Sequence, residues 1–343
     1  MKYLKISSFY AFFFYCSFLQ AQANLLPLES STLPSKSVFC SPGVINASRS
    51  RGAEFTHGIH SPFALQVPVG IADGSTSGQV TFVESYKAKL KIPLVIKQDF
   101  KLLFGYEYNS ETYHFGETAG FHSVTFNSLD NKALRSNRYS LYATKSFNER
   151  VYSLIRLRAT YNGDYDQGMT INDRYGIYSV IGGVGFKESD KKEWGLGVSY
   201  SYSKFRTRLI PFLLYNQTFN NKWGVEAILP LQIFARYNVS KKTILLSGID
   251  YHSTFYNADF SNAFSNELEN YYIKQSGLRS SITLEQHIAP WLWMHAKTGY
   301  QTSFTTDFQN QDDSTASFGA NTGNTWFFQI GLFLSPPDKL MNR

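Results

Sequence analysis

The chain has 343 residues, with 33 Lys and Arg against 26 Asp and Glu, a formal net charge of +7, and only two cysteines. Two cysteines exclude a disulfide-stapled scaffold. Past residue 23 no run of 18 apolar residues exists, which excludes a transmembrane helix there. Yet the chain holds 29 Phe and 23 Tyr, and they recur at alternate positions, a spacing that dilutes apolar character in any window average.

In chain order, Lys2 and Lys5 precede the apolar run 6–19 and then Ala21-Gln22-Ala23. That layout predicts a secretory signal cleaved after Ala23, so residues 1–23 are read as a signal peptide. The run is too short to cross a bilayer as a helix. Cleavage leaves Cys40 alone, so no intramolecular bridge forms. Residues 24–78 read as an N-terminal periplasmic arm, in which 52–70 is a candidate first strand despite Pro62 and Pro68. The barrel proper is expected over 79–335, with a tail at 336–343.

Residues 79–96 put Val80, Phe82, Tyr86, Ala88, Leu90, Ile92 and Leu94 on one face, interrupted by Glu84, and Thr81, Ser85, Lys87, Lys89 and Lys91 on the other. Residues 100–108 place Phe100, Leu102, Phe104, Tyr106 and Tyr108 together. Tyr139, Leu141 and Ala143 oppose Arg138, Ser140 and Thr144. Val151, Ile155, Leu157, Ala159 and Tyr161 oppose Arg156, Arg158 and Thr160. The clearest strand is 194–204, where Trp194, Leu196, Val198, Tyr200 and Tyr202 face away from Gly195, Gly197, Ser199, Ser201 and Ser203. Near the end, Trp326, Phe328, Ile330, Leu332 and Leu334 oppose Gln329 and Gly331. One face is lipid-like and the other small and polar, as in a membrane barrel.

Connections alternate in length. Short ones fall at 97–99, 148–149, 189–192, 220–221 and 287–290, and long polar ones at 116–134, 257–270 and 306–323. Short periplasmic turns and long external loops produce that asymmetry. From Trp223 to Tyr237 the odd positions stay apolar without a phase break, as one strand or as a hairpin with a tip at Leu229-Pro230-Leu231. The expectation is therefore an all-β, transmembrane, antiparallel up-and-down β-barrel of about 12 strands, with 14 as the alternative. Either keeps both termini in the periplasm.

Residues 79–333 resemble a Gram-negative, Bacteroidota-type family of outer-membrane β-barrels of unknown function. The resemblance runs through Glu193-Trp194-Gly195-Leu196-Gly197-Val198-Ser199-Tyr200, Arg208-Leu209-Ile210-Pro211-Phe212-Leu213, Asn221-Lys222-Trp223-Gly224-Val225, Leu229-Pro230-Leu231-Gln232 and Ala289-Pro290-Trp291-Leu292-Trp293. It implies residence in the cell outer membrane, contact with outer-membrane lipid and lipopolysaccharide, and handling by the barrel-insertion machinery. It brings no substrate and no catalytic residue. Where many such barrels end on an aromatic residue, here Phe333 is followed by Leu334, Pro336 and Pro337.

The feature pointing to function is charge on the inward face. Lys87, Lys89, Lys91, Lys101, Arg138, Arg156, Arg158, Arg236, Arg279 and Lys297 fall on inward positions, against Glu107, Glu226 and Glu285. An open lumen so charged would favour small polar or anionic solutes; a filled one would pair these cations with acids and loops. A structural or surface-display barrel presenting its long loops is the alternative, and a lipid-modifying enzyme a lesser one. His252 and Ser253 are strand neighbours on opposite faces, and His122-Ser123 lacks a third partner. No Gly-x-Ser-x-Gly or His-Glu-x-x-His is present. No enzyme activity, cofactor or metal site is therefore expected. His57 and His60 read as a loop pair, and Asp312-Asp313 as loop acids that could touch a divalent cation. Dispersed basic residues on an exported chain do not predict nucleic-acid binding. Residues 24–78 are too few for the plug domain of an energised transporter, and no peptidoglycan-binding domain is expected after 334.

Overall fold

The structure, a computed structural model, describes residues 39–70, 74–165, 170–203, 206–265, 267–311 and 314–336. The predicted signal segment, Asp312, Asp313 and the tail from residue 337 lie outside the described residues.

The chain folds as one antiparallel sheet closed on itself. The strands are β1 (Ala53–His60, continued by Phe63–Gly70), β2 (Gly74–Ile96), β3 (Phe100–Ala119), β4 (Ala133–Ser146), β5 (Val151–Gly163), β6 (Gly176–Ser189) and β7 (Lys192–Ser203). They continue with β8 (Arg206–Thr218), β9 (Trp223–Leu229), β10 (Gln232–Ser240), β11 (Thr243–Ser261), β12 (Leu268–Ala289), β13 (Leu292–Asn310) and β14 (Phe318–Thr322, continued by Thr325–Leu334). A short helix, α1 (Ser123–Leu129), lies between β3 and β4. Each strand pairs with its sequence neighbours, and β1 closes the ring by pairing with both β14 and β2.

The two segments of β1 are one strand. Ala53 lies opposite Leu90 and Phe63 opposite Val80, a single unbroken register along β2. Pro62 cannot donate to the ladder and marks the break. There Ser61 substitutes, its hydroxyl accepting from the Trp326 amide at 3.0 Å while its amide donates to the Trp326 carbonyl at 2.8 Å. The two segments of β14 share one register along β13 in the same way.

The barrel thus has 14 strands, not about 12. Both additional strands come from the two ambiguous segments. Residues 53–70 form β1, and the apolar run from Trp223 to Tyr237 is the β9–β10 hairpin, turning at Pro230 and Leu231. The outward phase survives the turn because Val225, Ala227, Ile233 and Ala235 lie on one face. Val80 also departs from expectation. Register shifts on either side of it turn the side chain inward, where it is fully buried. Much of the long polar connections is strand, since β3 runs to Ala119, β11 to Ser261 and β13 to Asn310.

Outward side chains form the apolar band. Leu196, Val198, Tyr200 and Tyr202 are 57%, 43%, 45% and 51% exposed, whereas Ser203 on the inward face is 7% exposed. Directly opposed residues share a face, so Gly185 and Gly195 lie on the inner wall with Tyr152, and Gly183 and Gly197 lie beneath Phe212. A Cβ on Gly185 or Gly197 would collide with the Tyr152 or Phe212 ring. Arginine at Val198, in the lipid-facing band, should lower unfolding stability in lipid vesicles by about 2–4 kcal/mol. Urea titration of V198R against the wild type measures it.

Candidate functional site

The lumen is the candidate site, and its own chain closes it at the end that carries the short turns. Residues 39–52 run across that mouth. The Cys40 amide donates to the Asn148 carbonyl at 3.1 Å and the Ser146 hydroxyl to the Cys40 carbonyl at 2.6 Å. The Gly43 amide donates to Glu193 at 2.8 Å, with Gly43 at φ 100°, where a side chain would be strained. The Ile45 amide donates to the Asp190 carbonyl, and the Thr218 hydroxyl to the Ile45 carbonyl at 2.7 Å. The Ser48 amide and hydroxyl both donate to Glu226, at 2.8 and 2.5 Å. Finally the Gly52 amide donates to the Leu334 carbonyl, handing the chain to β1.

Acids on the inner wall therefore act as acceptors for the arm. Arg51 bridges Glu54 and Glu285 at 2.6 and 2.7 Å, and its guanidinium lies 4.6 Å over the Phe333 ring. Burial alone would favour its neutral form, but the two carboxylates outweigh that and raise its pKa. Arg49 sits 4.7 Å over Trp293. Glu193 and Glu285 are each 1% exposed. Burying a carboxylate is costly without donors, and the arm supplies them. Cys40 is 6% exposed, and burial pushes its thiol pKa up.

The sequence-nominated cations divide into two groups. Arg236, with no exposed surface, donates to Glu226 and to the Thr218 hydroxyl, both at 2.7 Å. Lys87 pairs with Glu54 at 3.1 Å, Arg138 with Glu107 at 2.6 Å and Lys297 with Asp250 at 3.1 Å. Arg279 donates to Gln301 at 2.7 Å, and Lys101 reaches the Ser41 hydroxyl at 3.5 Å. Lys89, Lys91, Arg156 and Arg158 form the second group. Their registers place them on the same inner face, and no ion pair joins them to a carboxylate among the described residues. Lys91 and Arg156 flank the Tyr142 ring at 5.3 and 5.9 Å, and the Nε atoms of Arg156 and Arg158 have no hydrogen-bond partner. All four stay half-buried rather than buried, so this level of the lumen is not packed solid.

Toward the long loops the lumen is packed. Phe126 of α1 is fully buried among Phe63, Val80, Val83, Phe308 and Phe318, and Phe260, Tyr271 and Tyr256 extend the same cluster. The Thr125 hydroxyl ties α1 to the Ser261 carbonyl. Sequence reasoning missed this core, because α1 lies in a stretch with no strand periodicity. It also missed the acids Glu54, Glu193 and Asp250. Glu193 shares the inward parity of Gly195 and was readable, whereas Glu54 lay in the segment that Pro62 obscured.

The lesser candidates separate. His57 faces outward beside Tyr86 at 4.8 Å, while His60 faces inward, so one metal cannot bind both. His122 stacks on Phe318 at 4.1 Å. No cluster of metal-ligating side chains occurs among the described residues.

No family model and no curated protein matches the chain. Among solved structures it is similar to a Pseudomonas aeruginosa FadL homologue, with 7% identity over 82% of this chain and 89% of that one, at a TM-score of 0.40. It is likewise similar to an outer-membrane channel from Pseudomonas putida F1, with 11% identity, 86% and 99% coverage and a TM-score of 0.39. The outer-membrane protease OmpT from Escherichia coli gives 8% identity, 84% and 99% coverage and a TM-score of 0.32. Likeness at this level does not bear on activity.

Loss of one arm acceptor should loosen the closure. A hydrogen bond to a charged group contributes about 1.5–3 kcal/mol, so Glu193→Ala should speed maleimide labelling of Cys40 about tenfold or more. Glu84→Ala, on the outer face, should leave the rate unchanged. Glu226→Ala would strand the buried Arg236 charge and cost about 3 kcal/mol of stability, read by urea unfolding.

Proposed function

We propose that this chain is an outer-membrane barrel that passes small anionic solutes, with its N-terminal arm as the gate at the periplasmic mouth. The observation that carries the reading is the group Lys89, Lys91, Arg156 and Arg158, inward and half-buried, of which Lys89 stands in register between Glu54 and Glu107 and no ion pair joins the other three to a carboxylate among the described residues. Charges held so in a low-dielectric wall raise the local concentration of anions. The arm is suited to gating because it is held by side-chain acceptors and short backbone contacts rather than by a sheet ladder along its length.

A closed surface-display barrel is the second reading. The Phe126-centred core favours it, since this core fills the lumen below the long loops. Planar-bilayer recording separates the two. The wild type should open rarely, the Glu193→Ala variant more often, and the reversal potential in a salt gradient should favour anions. Replacing Lys89, Arg156 and Arg158 by Gln should reduce that preference several-fold. Openings whose selectivity ignores those three residues would remove the anion reading, and a silent arm variant would favour the display barrel.

A further inference from the structure

The rim of the barrel at the turn end carries a second basic cluster. The β8–β9 turn presents Lys222 and the β10–β11 turn Lys241 and Lys242, all three exposed. The Asn238 amide donates to the Lys222 carbonyl at 2.7 Å and holds the two turns side by side. The arm passes beside them. It turns at Asn46, which takes the left-handed φ of 56° that asparagine tolerates. There the Asn238 side-chain amide donates to the Asn46 carbonyl at 3.1 Å. Arg49 then reaches the β10–β11 turn, its guanidinium 4.7 Å over Trp293 and donating to the Lys241 carbonyl at 3.4 Å.

Between the arm and the two turns lies a cleft of about 470 Å³, within the size range of small-molecule sites. Its polar lining includes Asn46 and Arg49 from the arm, Lys222 and Lys241 from the turns, and Asn238 and Ser240 from β10. No Asp or Glu lines it. No ion pair joins Lys222 or Lys241 to a carboxylate among the described residues. Glu226 and Glu285, which accept from the Ser48 and Arg49 amides, are matched by Arg236 and Arg51, so neither offsets those lysines. The bond to the Asn46 carbonyl fixes the Asn238 amide group, and its Oδ1 is then buried with no hydrogen-bond partner. The cleft thus offers several cationic donors and one unmet acceptor.

A phosphate group answers that lining. A phosphate monoester carries a charge of about −1.5 to −2 near neutral pH and three strong acceptor oxygens, against the three cations Arg49, Lys222 and Lys241 and the Ser240 hydroxyl. A lone carboxylate would leave two of those cations unmatched. A hydroxyl on the same guest fills the Asn238 acceptor. The cleft begins one residue beyond the Trp223–Tyr237 ring pair, 4.6 Å apart, and an aromatic girdle of that kind marks the headgroup layer. We propose that this cleft binds a phosphate group on a hydroxylated body, either a soluble phosphate monoester or a phospholipid headgroup at the rim. Because one wall is arm and the other barrel, occupancy clamps the seated arm. A ligand at ten times its Kd holds the arm about tenfold more firmly. That consequence rests on the gate reading above, whereas the site itself does not.

The test uses the full chain in dodecyl maltoside micelles, which contain no phosphate. Phosphorus NMR line broadening reads binding, and maleimide labelling of Cys40 reads the arm. Glycerol phosphate, phosphatidylglycerol added to the micelles, or both should broaden and should slow labelling about tenfold at ten times Kd. An effect of glycerol phosphate alone identifies a soluble ligand, and of phosphatidylglycerol alone a lipid headgroup. Lys222→Gln combined with Lys241→Gln should abolish both signals. Lys97→Gln combined with Arg150→Gln, equal charge removed from exposed positions on other turns, should keep them. Equal loss in the two pairs, or equal slowing by sodium chloride at matched ionic strength, would overturn the site. Broadening by neither probe would overturn it as well. Broadening without slowing would keep the site and overturn the clamp.

Discussion

A strand in lipid has no water to satisfy its backbone, so each N–H and C=O must find a partner on a neighbouring strand. That requirement closes β1 onto both β14 and β2 and holds the register even where the chain interrupts the ladder. At Ser61 and Pro62 a side-chain hydroxyl accepts the Trp326 amide where the ladder breaks, and the two halves of β1 stay in register. Closure also fixes which side chains look inward, so every later feature of the lumen follows from it.

The inward face cannot be filled by small residues alone. Tyr152 and Phe212 use the room left by Gly185 and Gly197, so the wall alternates thick and thin around its circumference. The acids near the turn end have a different solution. Glu193, Glu226 and Glu285 gain backbone donors from a chain segment that belongs to no strand. A buried carboxylate is costly alone and favourable with donors, so acids and arm stabilise each other. Removing either leaves the other with unmet hydrogen bonds.

The barrel and most of its facing were legible because period-two alternation survives in sequence wherever one face meets lipid. Trp194 to Ser203 is the plainest case. The strand count was not legible for two physical reasons. A two-residue tip at Pro230 and Leu231 preserves parity, so a hairpin and one strand have the same pattern. A proline in an otherwise regular strand hides β1, because its repair comes from Ser61 and Trp326, over 260 positions apart. Inward Lys and Arg could be nominated from parity, but whether each has a partner is a question of register between distant strands. Lys87 meets Glu54 through the β1–β2 pairing, and Lys297 meets Asp250 across β12. The arm and α1 have no periodicity at all, and their roles rest on tertiary fit.

The distribution of charge makes the two ends of the lumen unequal. Acids gather at the turn end, where the arm gives Glu193 and Glu226 neutral donors and Glu285 the Arg51 guanidinium, and Lys89, Lys91, Arg156 and Arg158 line the inner face of β2 and β5. Glu226 carries its countercharge on Arg236 of the wall and Glu285 on Arg51 of the arm, whereas Glu193 is held by neutral donors alone, from Gly43, Tyr152 and Asn216. Displacing the arm would take Arg51 from Glu285 and the Gly43 amide from Glu193 while Glu226 kept Arg236, so the mouth would gain net negative charge.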